Sequence, residues 1–320
     1  MLNGLLLLLG VALLTAGGEA LIRGSLAVAK RLGISPLLSG LLIVGFGTSA
    51  PELVVSIDAA LNGRPDIAVG NVVGSNIGNV LLILGICALI TPLAVRPLAL
   101  RRDAFTVVAA STLFLILVGG SALARSDAFI FLAALLAYLL WAYFTERSSH
   151  SLPAELHRAE ANELSRIPRS MFATLGAVIF GLLLLIGGSQ FLLTGAVGMA
   201  ACFGVSEAVV GLTLVAVGTS LPELSVSVIA AVRKHADVAV GNILGSNIFN
   251  LLGILGISAL LQPLPVHARI LQFDQWVLFG AALLLLLFLW SGRRLSRLEG
   301  GALLACYCVY IVLSFNVYSG

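Results

Sequence analysis

Two glutamates, Glu52 and Glu223, stand in stretches that are otherwise strongly apolar. A carboxylate in hydrocarbon is expensive, so by default it marks a path for ions or protons. Each closes the same motif: Gly47-Thr48-Ser49-Ala50-Pro51-Glu52 and Gly218-Thr219-Ser220-Leu221-Pro222-Glu223. A second motif follows each copy. Gly70-Asn71 leads to Gly74-Ser75-Asn76-Ile77 and Asn79, and Gly241-Asn242 leads to Gly245-Ser246-Asn247-Ile248 and Asn250. The two sets are offset by a constant 171 residues.

The residue types point to binding of a hard cation. Proline disfavours helix at the residue before it and fits the first turn of a helix, with Ser or Thr capping just upstream. The glycine-containing runs before each motif, Val44 to Gly47 and Ala216 to Gly218, can unwind. The segment therefore reads as a helix broken near its middle, with carbonyl oxygens exposed beside the glutamate. Ser75 and Asn79 lie four apart on one helical face, as do Ser246 and Asn250. Such an oxygen-only set suits Na⁺, Ca²⁺ or Mg²⁺ rather than zinc or copper. Mg²⁺ sheds its waters reluctantly, so a deep, dry site favours Ca²⁺ over Mg²⁺. Two carboxylates balance one Ca²⁺ or two Na⁺, and protons can also neutralise them. All four histidines fall in loops, which argues against a histidine proton relay.

The elements that must hold these residues are membrane helices. The chain has 320 residues, 59% apolar and 10% charged, with a net charge of +3. Several apolar stretches approach the roughly 20 residues that cross a bilayer, where the backbone must be helical. The fold class is all-α, a polytopic membrane protein of ten transmembrane helices. They are predicted over 4–24, 36–61, 67–91, 104–120, 127–145, 171–195, 205–232, 238–262, 273–291 and 300–318. The apolar N-terminus reads as the first of these, not as a removed signal. Residues 33–92 align without a gap on 204–263, identical at about half the positions. Five spans per half force the second half to enter in the opposite sense, giving two inverted five-helix repeats, 1–145 and 171–320. The polar stretch 146–170 links them.

Loop charges orient the chain. Of the 18 Lys and Arg residues, all but Arg64, Arg125 and Arg269 fall on one side. By the positive-inside rule that side is cytoplasmic. The linker is then inside, both termini are outside, and the location is the cell (inner) membrane. No basic stripe with interleaved aromatics suggests nucleic acid, so the lipid bilayer is the expected surroundings. The four scattered cysteines read as packing residues.

At its duplicated motifs the chain resembles the calcium/cation antiporter superfamily, in its sodium/calcium exchanger branch and compact prokaryotic form. The resemblance covers essentially the whole chain. It implies a secondary active antiporter exchanging Ca²⁺ against several Na⁺ by alternating access, with net charge movement. By resemblance, Glu52 and Glu223 are the central Ca²⁺ carboxylates, joined by Thr48 and Thr219, partly through their backbone carbonyls. Ser49, Ser75, Ser220 and Ser246 match flanking Na⁺ ligands. Gly45 and Ala216 stand where the family offers a backbone carbonyl, and Asn79 and Asn250 match the central polar pair. Some relatives carry aspartate at the position of Asn250; the amide removes a charge and argues against K⁺ co-transport. Ca²⁺ and Na⁺ enter as substrates, and no cofactor is expected. The short linker leaves no room for the calcium-sensing insert of eukaryotic exchangers, and no obligate protein partner is evident.

Other readings remain. The same glutamates could couple Ca²⁺ or another cation to H⁺, although apolar residues after Gly70-Asn71 and Gly241-Asn242 disfavour the proton/calcium branch. A passive channel fits the inverted broken helices less well. An enzyme lacks a base beside its serines. Ser56 and Ser227 read as packing residues, and Asn71, Asn76, Asn242 and Asn247 as hydrogen-bonding to backbone or neighbouring helices. Asp58, without a counterpart, reads as interfacial, and Asp66 and Asp237 as caps. The first helix of each half carries a Gly-Gly pair and few ligand candidates, so it is expected to slide against the motif core.

Overall fold

The computed structural model describes residues 2–95, 97, 99–148, 170–202 and 218–318. In chain order the helices are α1 (Leu2–Leu32), α2 (Pro36–Thr48), α3 (Ala50–Leu61), α4 (Pro65–Ile90), α5 (Arg102–Gly120) and α6 (Arg125–Ser148). They continue as α7 (Met171–Cys202), α8 (Leu221–Val232), α9 (Ala236–Leu261), α10 (Ile270–Gly292) and α11 (Arg297–Tyr318). Among the described residues, eight helices are long and apolar enough to cross a membrane, or nine with α2 and α3 as one bent span. The span predicted over 205–232 is seen only as α8, because residues 203–217 lie outside the described residues, Ala216 among them. Most of the 146–170 linker also lies outside them.

Two helices outrun their predicted limits. α1 extends to Leu32 instead of stopping near residue 24. Glu19 and Arg23 do not end it, because they are i,i+4 neighbours that pair at 2.6 Å. Its 31 residues rise roughly 45 Å at about 1.5 Å each, more than a bilayer core of ~30 Å, so it runs tilted or past the interface. α7 likewise continues to Cys202.

α4 and α9 form the centre: 67% and 83% of their apolar windows are buried, against 11% for α11. α1 and α7 run along each other on glycines spaced seven apart: Gly17 faces Gly181 and Gly10 faces Gly188, while Gly24 meets Val178 and Gly195 meets Asn3 and Leu7. A Cβ on Gly17 would lie 2.9 Å from Gly181 O, and one on Gly181 2.7 Å from Leu21 N. Only bare backbone permits this approach, as is common between membrane helices.

Among the described residues, four two-residue strands staple the helix ends. Leu93–Ala94 pairs antiparallel with Arg294–Leu295, and Ala122–Leu123 with Leu264–Pro265. Asp66 and Asp237 stand in the first turns of α4 and α9, two residues after the N-cap positions Arg64 and His235. Asp58 is exposed and pairs with Arg64 at 3.1 Å.

A buried ion pair at the start of α5 is joined to α6 by a tyrosine hydroxyl. Arg102 and Asp103, 1% and 0% exposed, meet at 2.5 Å, and Tyr138 donates to Asp103 Oδ1 at 2.9 Å. Asp274 of α10 is held similarly by Arg269 and by the Tyr310 hydroxyl of α11. Removing one partner strands the other charge in the interior. Arg102→Ala is therefore expected to cost about 3–5 kcal/mol, measured by denaturation in detergent. A cost below about 1 kcal/mol would show the pair to be as weak as an exposed one.

Candidate ion-binding site

The duplicated motifs meet at the centre. α2 and α3 are bent by 42°, with the break at Ser49 (φ −79°, ψ 8°), directly before Ala50-Pro51. Pro51 cannot donate a backbone hydrogen bond, so the chain loses little by breaking there. The second break falls at Ser220 (φ −86°, ψ 7°) before Leu221-Pro222. Each break leaves its glutamate, Glu52 or Glu223, in the first turn of the following helix, where the dipole favours negative charge.

Two local expectations are corrected. The run before Glu52 does not unwind; Gly40–Gly45 is π-helical, and Phe46–Thr48 completes the helix. π-Helical turns also occupy Asn79–Ile83 and Phe249–Ile254, at the last asparagine of each second motif. Such turns recur at functional sites because they rotate side chains out of helical register. Ser49 and Ser220 occupy N-cap positions, but neither side chain caps its helix. Ser49 Oγ donates instead to Glu223 Oε1 at 3.0 Å, and Ser220 Oγ to Glu52 Oε1 at 3.3 Å. Each serine thus serves the glutamate of the other half.

Most of the proposed ligand set lies in one buried cluster. Glu52, Glu223, Ser49, Ser246 and Asn250 are fully buried; Thr48, Asn79 and Ser75 nearly so. Thr219 and Ser220 are half-buried, and Gly45 is buried. Ser75 shares a hydrogen bond with Ser220 at 3.3 Å, and Ser246 donates to the Gly45 carbonyl at 3.0 Å. A Cβ at Gly45 would lie 2.8 Å from Asn242 O, so glycine lets α2 and α9 touch.

A second tier of amides holds the breaks in place. Asn242 Nδ2 donates to Ser227 Oγ (2.8 Å) and to Glu223 O (3.3 Å), while its Oδ1 accepts from the Thr48 hydroxyl at 3.2 Å. Asn71 repeats this with Ser56 (3.0 Å), Glu52 O (3.2 Å) and Thr219 (3.4 Å). The asparagines therefore bond to backbone and neighbouring helices as expected. Ser56 and Ser227, read as packing residues, also take part in hydrogen bonds. The Phe46–Phe249 ring stack, centroids 4.4 Å apart, joins the halves and has no duplicated counterpart to announce it.

Within this cluster four oxygens are left over. Glu52 Oε2, Glu223 Oε2, Asn79 Oδ1 and Asn250 Oδ1 are buried and make no hydrogen bond. All four are acceptors, and leaving such groups unpaired in an apolar interior is costly. Two carboxylates and two amides of this kind fit a desolvated cation that takes oxygen ligands.

The comparisons agree with this chemistry. The family model described as "Sodium/calcium exchanger protein" matches residues 2–144 and 173–316. The chain is 37% identical to the putative antiporter CaxA of Alkalimonas amylolytica over 97% of both proteins. It is 31% identical to the sodium/calcium exchanger MaX1 of Methanosarcina acetivorans, over 98% of this chain and 99% of that one. Its fold superposes on the sodium-calcium exchanger NCX_Mj, solved after soaking in Na⁺ and Ca²⁺, with a TM-score of 0.83 at 30% identity and 98% coverage of each chain. The chain belongs to the sodium/calcium exchanger family: it is a multi-pass membrane protein and a cation antiporter, not an enzyme.

Proposed function

We propose that this protein exchanges Ca²⁺ for Na⁺ by alternating access through the cluster around Glu52 and Glu223. The observation that carries this reading is the set of four buried, unpartnered acceptors at Glu52, Glu223, Asn79 and Asn250. The two carboxylates neutralise one Ca²⁺, and the amide oxygens complete its inner ligands. Thr48 and Thr219 join them, partly through their backbone carbonyls, while Ser49, Ser220, Ser75, Ser246 and the backbone at Gly45 and Ala216 supply neutral oxygens for Na⁺. A proton needs only a carboxylate, so this surplus of neutral oxygen favours Na⁺ as the counter-ion.

The experiment is Ca²⁺ uptake by proteoliposomes loaded with Na⁺ and diluted into Na⁺-free buffer. Uptake is expected to require the outward Na⁺ gradient. Uptake driven by an imposed pH gradient without Na⁺ would replace this reading by H⁺/Ca²⁺ antiport.

Alternating access has a visible asymmetry to build on. Beyond Glu223, α8 is covered by α1: Val226 is fully buried, a Cβ on Gly18 would meet Ile229, and Glu19 pairs with Arg233 at 3.3 Å. Beyond Glu52, the matching part of α3 is open: Val55, the counterpart of Val226, is 36% exposed, and an adjoining cavity of about 290 Å³ is lined by Val54, Val55, Asp58 and Arg64. The helix pair α1–α7 is the moving body in this scheme. The halves 1–145 and 171–320 are inverted repeats of five spans each, the site is shared between them, and the protein lies in the inner membrane. With the linker 146–170 in the cytoplasm and both termini outside, the open path at α3 faces outward. Cysteines placed in 146–170 should react with an impermeant thiol reagent only from the cytoplasmic side; labelling from outside would overturn this orientation.

A further inference from the structure

Four asparagines form a hydrogen-bonded chain between α4 and α9, in the order Asn79, Asn247, Asn76, Asn250. Asn79 Nδ2 donates to Asn247 Oδ1 at 3.0 Å, and Asn250 Nδ2 donates to Asn76 Oδ1 at 3.1 Å. The remaining amide groups run to backbone: Asn76 Nδ2 to Asn247 O at 3.2 Å, and Asn247 Nδ2 to Asn76 O at 3.4 Å. None of the four is more than 1% exposed.

A carboxamide has chemically opposite ends, one that accepts and one that only donates. Turned the wrong way, Asn79 or Asn250 would aim N–H groups at a cation and repel it. The chain of amides removes that choice. Asn76 and Asn247 are themselves oriented by main-chain carbonyls, which accept only from an N–H. Their Oδ1 atoms are then obliged to face Asn250 and Asn79 as acceptors. Those residues must answer with Nδ2, which leaves Oδ1 for the centre, and these two Oδ1 atoms are the buried ones without a partner.

We propose that Asn76 and Asn247 are positioning residues of the transport site: without touching the ion, they fix which end of Asn250 and Asn79 faces it. This rests on the reading of the cluster as the Ca²⁺ site, and it explains how a neutral amide serves at position 250. An aspartate there would present oxygen whichever way it turned and would not need Asn76 to orient it. Positions 76 and 250 are therefore coupled in a particular way, and so are 247 and 79.

The test is a double-substitution cycle read by Ca²⁺ titration calorimetry on purified protein in Na⁺-free buffer. Asn76→Ala is expected to weaken Ca²⁺ binding by about 10- to 100-fold, as loss of a ligand-orienting partner does. In an Asn250→Asp background the same substitution should cost no affinity, because Asn76 Oδ1 there faces a second acceptor and gives no favourable bond to lose. The mirror cycle, Asn247→Ala with Asn79→Asp, supplies the same comparison where a variant of the first does not fold. An equal loss in both backgrounds would assign Asn76 a merely structural role and overturn the proposal, as would unchanged affinity in Asn76→Ala. Failure of the underlying site reading looks different: Glu52→Gln would then bind Ca²⁺ as the natural protein does.

Discussion

Glu52→Gln and Glu223→Gln are each expected to abolish Ca²⁺ uptake, with affinity falling by more than about 100-fold. In each glutamate, Oε1 accepts from a serine of the other half and Oε2 accepts from nothing. Glutamine can keep the first bond with its carbonyl oxygen, and its NH₂ then occupies the position facing the cation. One charge of two is lost, so a bound Ca²⁺ would leave a buried positive charge uncompensated. Breaking a buried charge pair in this way costs about 3–5 kcal/mol, which is where the loss of at least 100-fold comes from. The fold should survive, because glutamine is less costly to bury than an ionised carboxylate. The measurement is Na⁺-driven uptake beside thermal melting of the same preparation. Full uptake in either variant would remove that glutamate from the site, and uptake lost together with melting would show only misfolding.

Locking α1 onto α8 is expected to stop exchange without stopping ion binding. A Cβ on Gly18 would lie 3.8 Å from the Val226 Cα, close enough for cysteines at the two positions to approach once the flexible end of Ile229 gives way. The pair Gly18→Cys with Val226→Cys therefore fixes the sliding helix against the helix that carries Glu223. Under oxidising conditions Na⁺-driven uptake should fall to background, and a reductant should restore it. Ca²⁺ binding from the open side should persist in the oxidised protein, because the cross-link touches no residue of the ligand cluster. Undiminished exchange with the disulfide formed would show that α1 does not move against α8 during transport.

Much of the site was legible in the chain because membrane burial restricts which polar residues survive. Glutamate, threonine, serine and asparagine in apolar spans stand out, and the 171-residue offset pairs each with its counterpart. Burial of Glu52, Glu223, Ser49, Ser246, Asn79 and Asn250 in one cluster follows that reading. Ser56 and Ser227 show where it ran out. A serine one turn past a glutamate is common packing material between membrane helices, and only the placement of Asn71 and Asn242 on the neighbouring helix makes it a hydrogen-bond partner. The length of α1 was hidden for a related reason. Charged residues at Glu19 and Arg23 resemble a span's end until their ion pair is seen.

The sequence by itself determined the class of the protein, its helical membrane spans, the duplication, and the oxygen chemistry of its centre. These follow from local facts: hydropathy, residue type and spacing, all of which act within one segment. Tertiary structure alone decided who serves whom. Ser49 faces Glu223, not its own helix end, and Asn76 faces Asn250 from the opposite half. The π-helical turns and the glycine contacts of α1 with α7 belong to the same level. A hydroxyl or an amide bonds equally well to many partners, so its sequence position does not select one. The selection is made when the helices of both halves close on a common centre, where every donor must find an acceptor and the acceptors left over are those the cation can use.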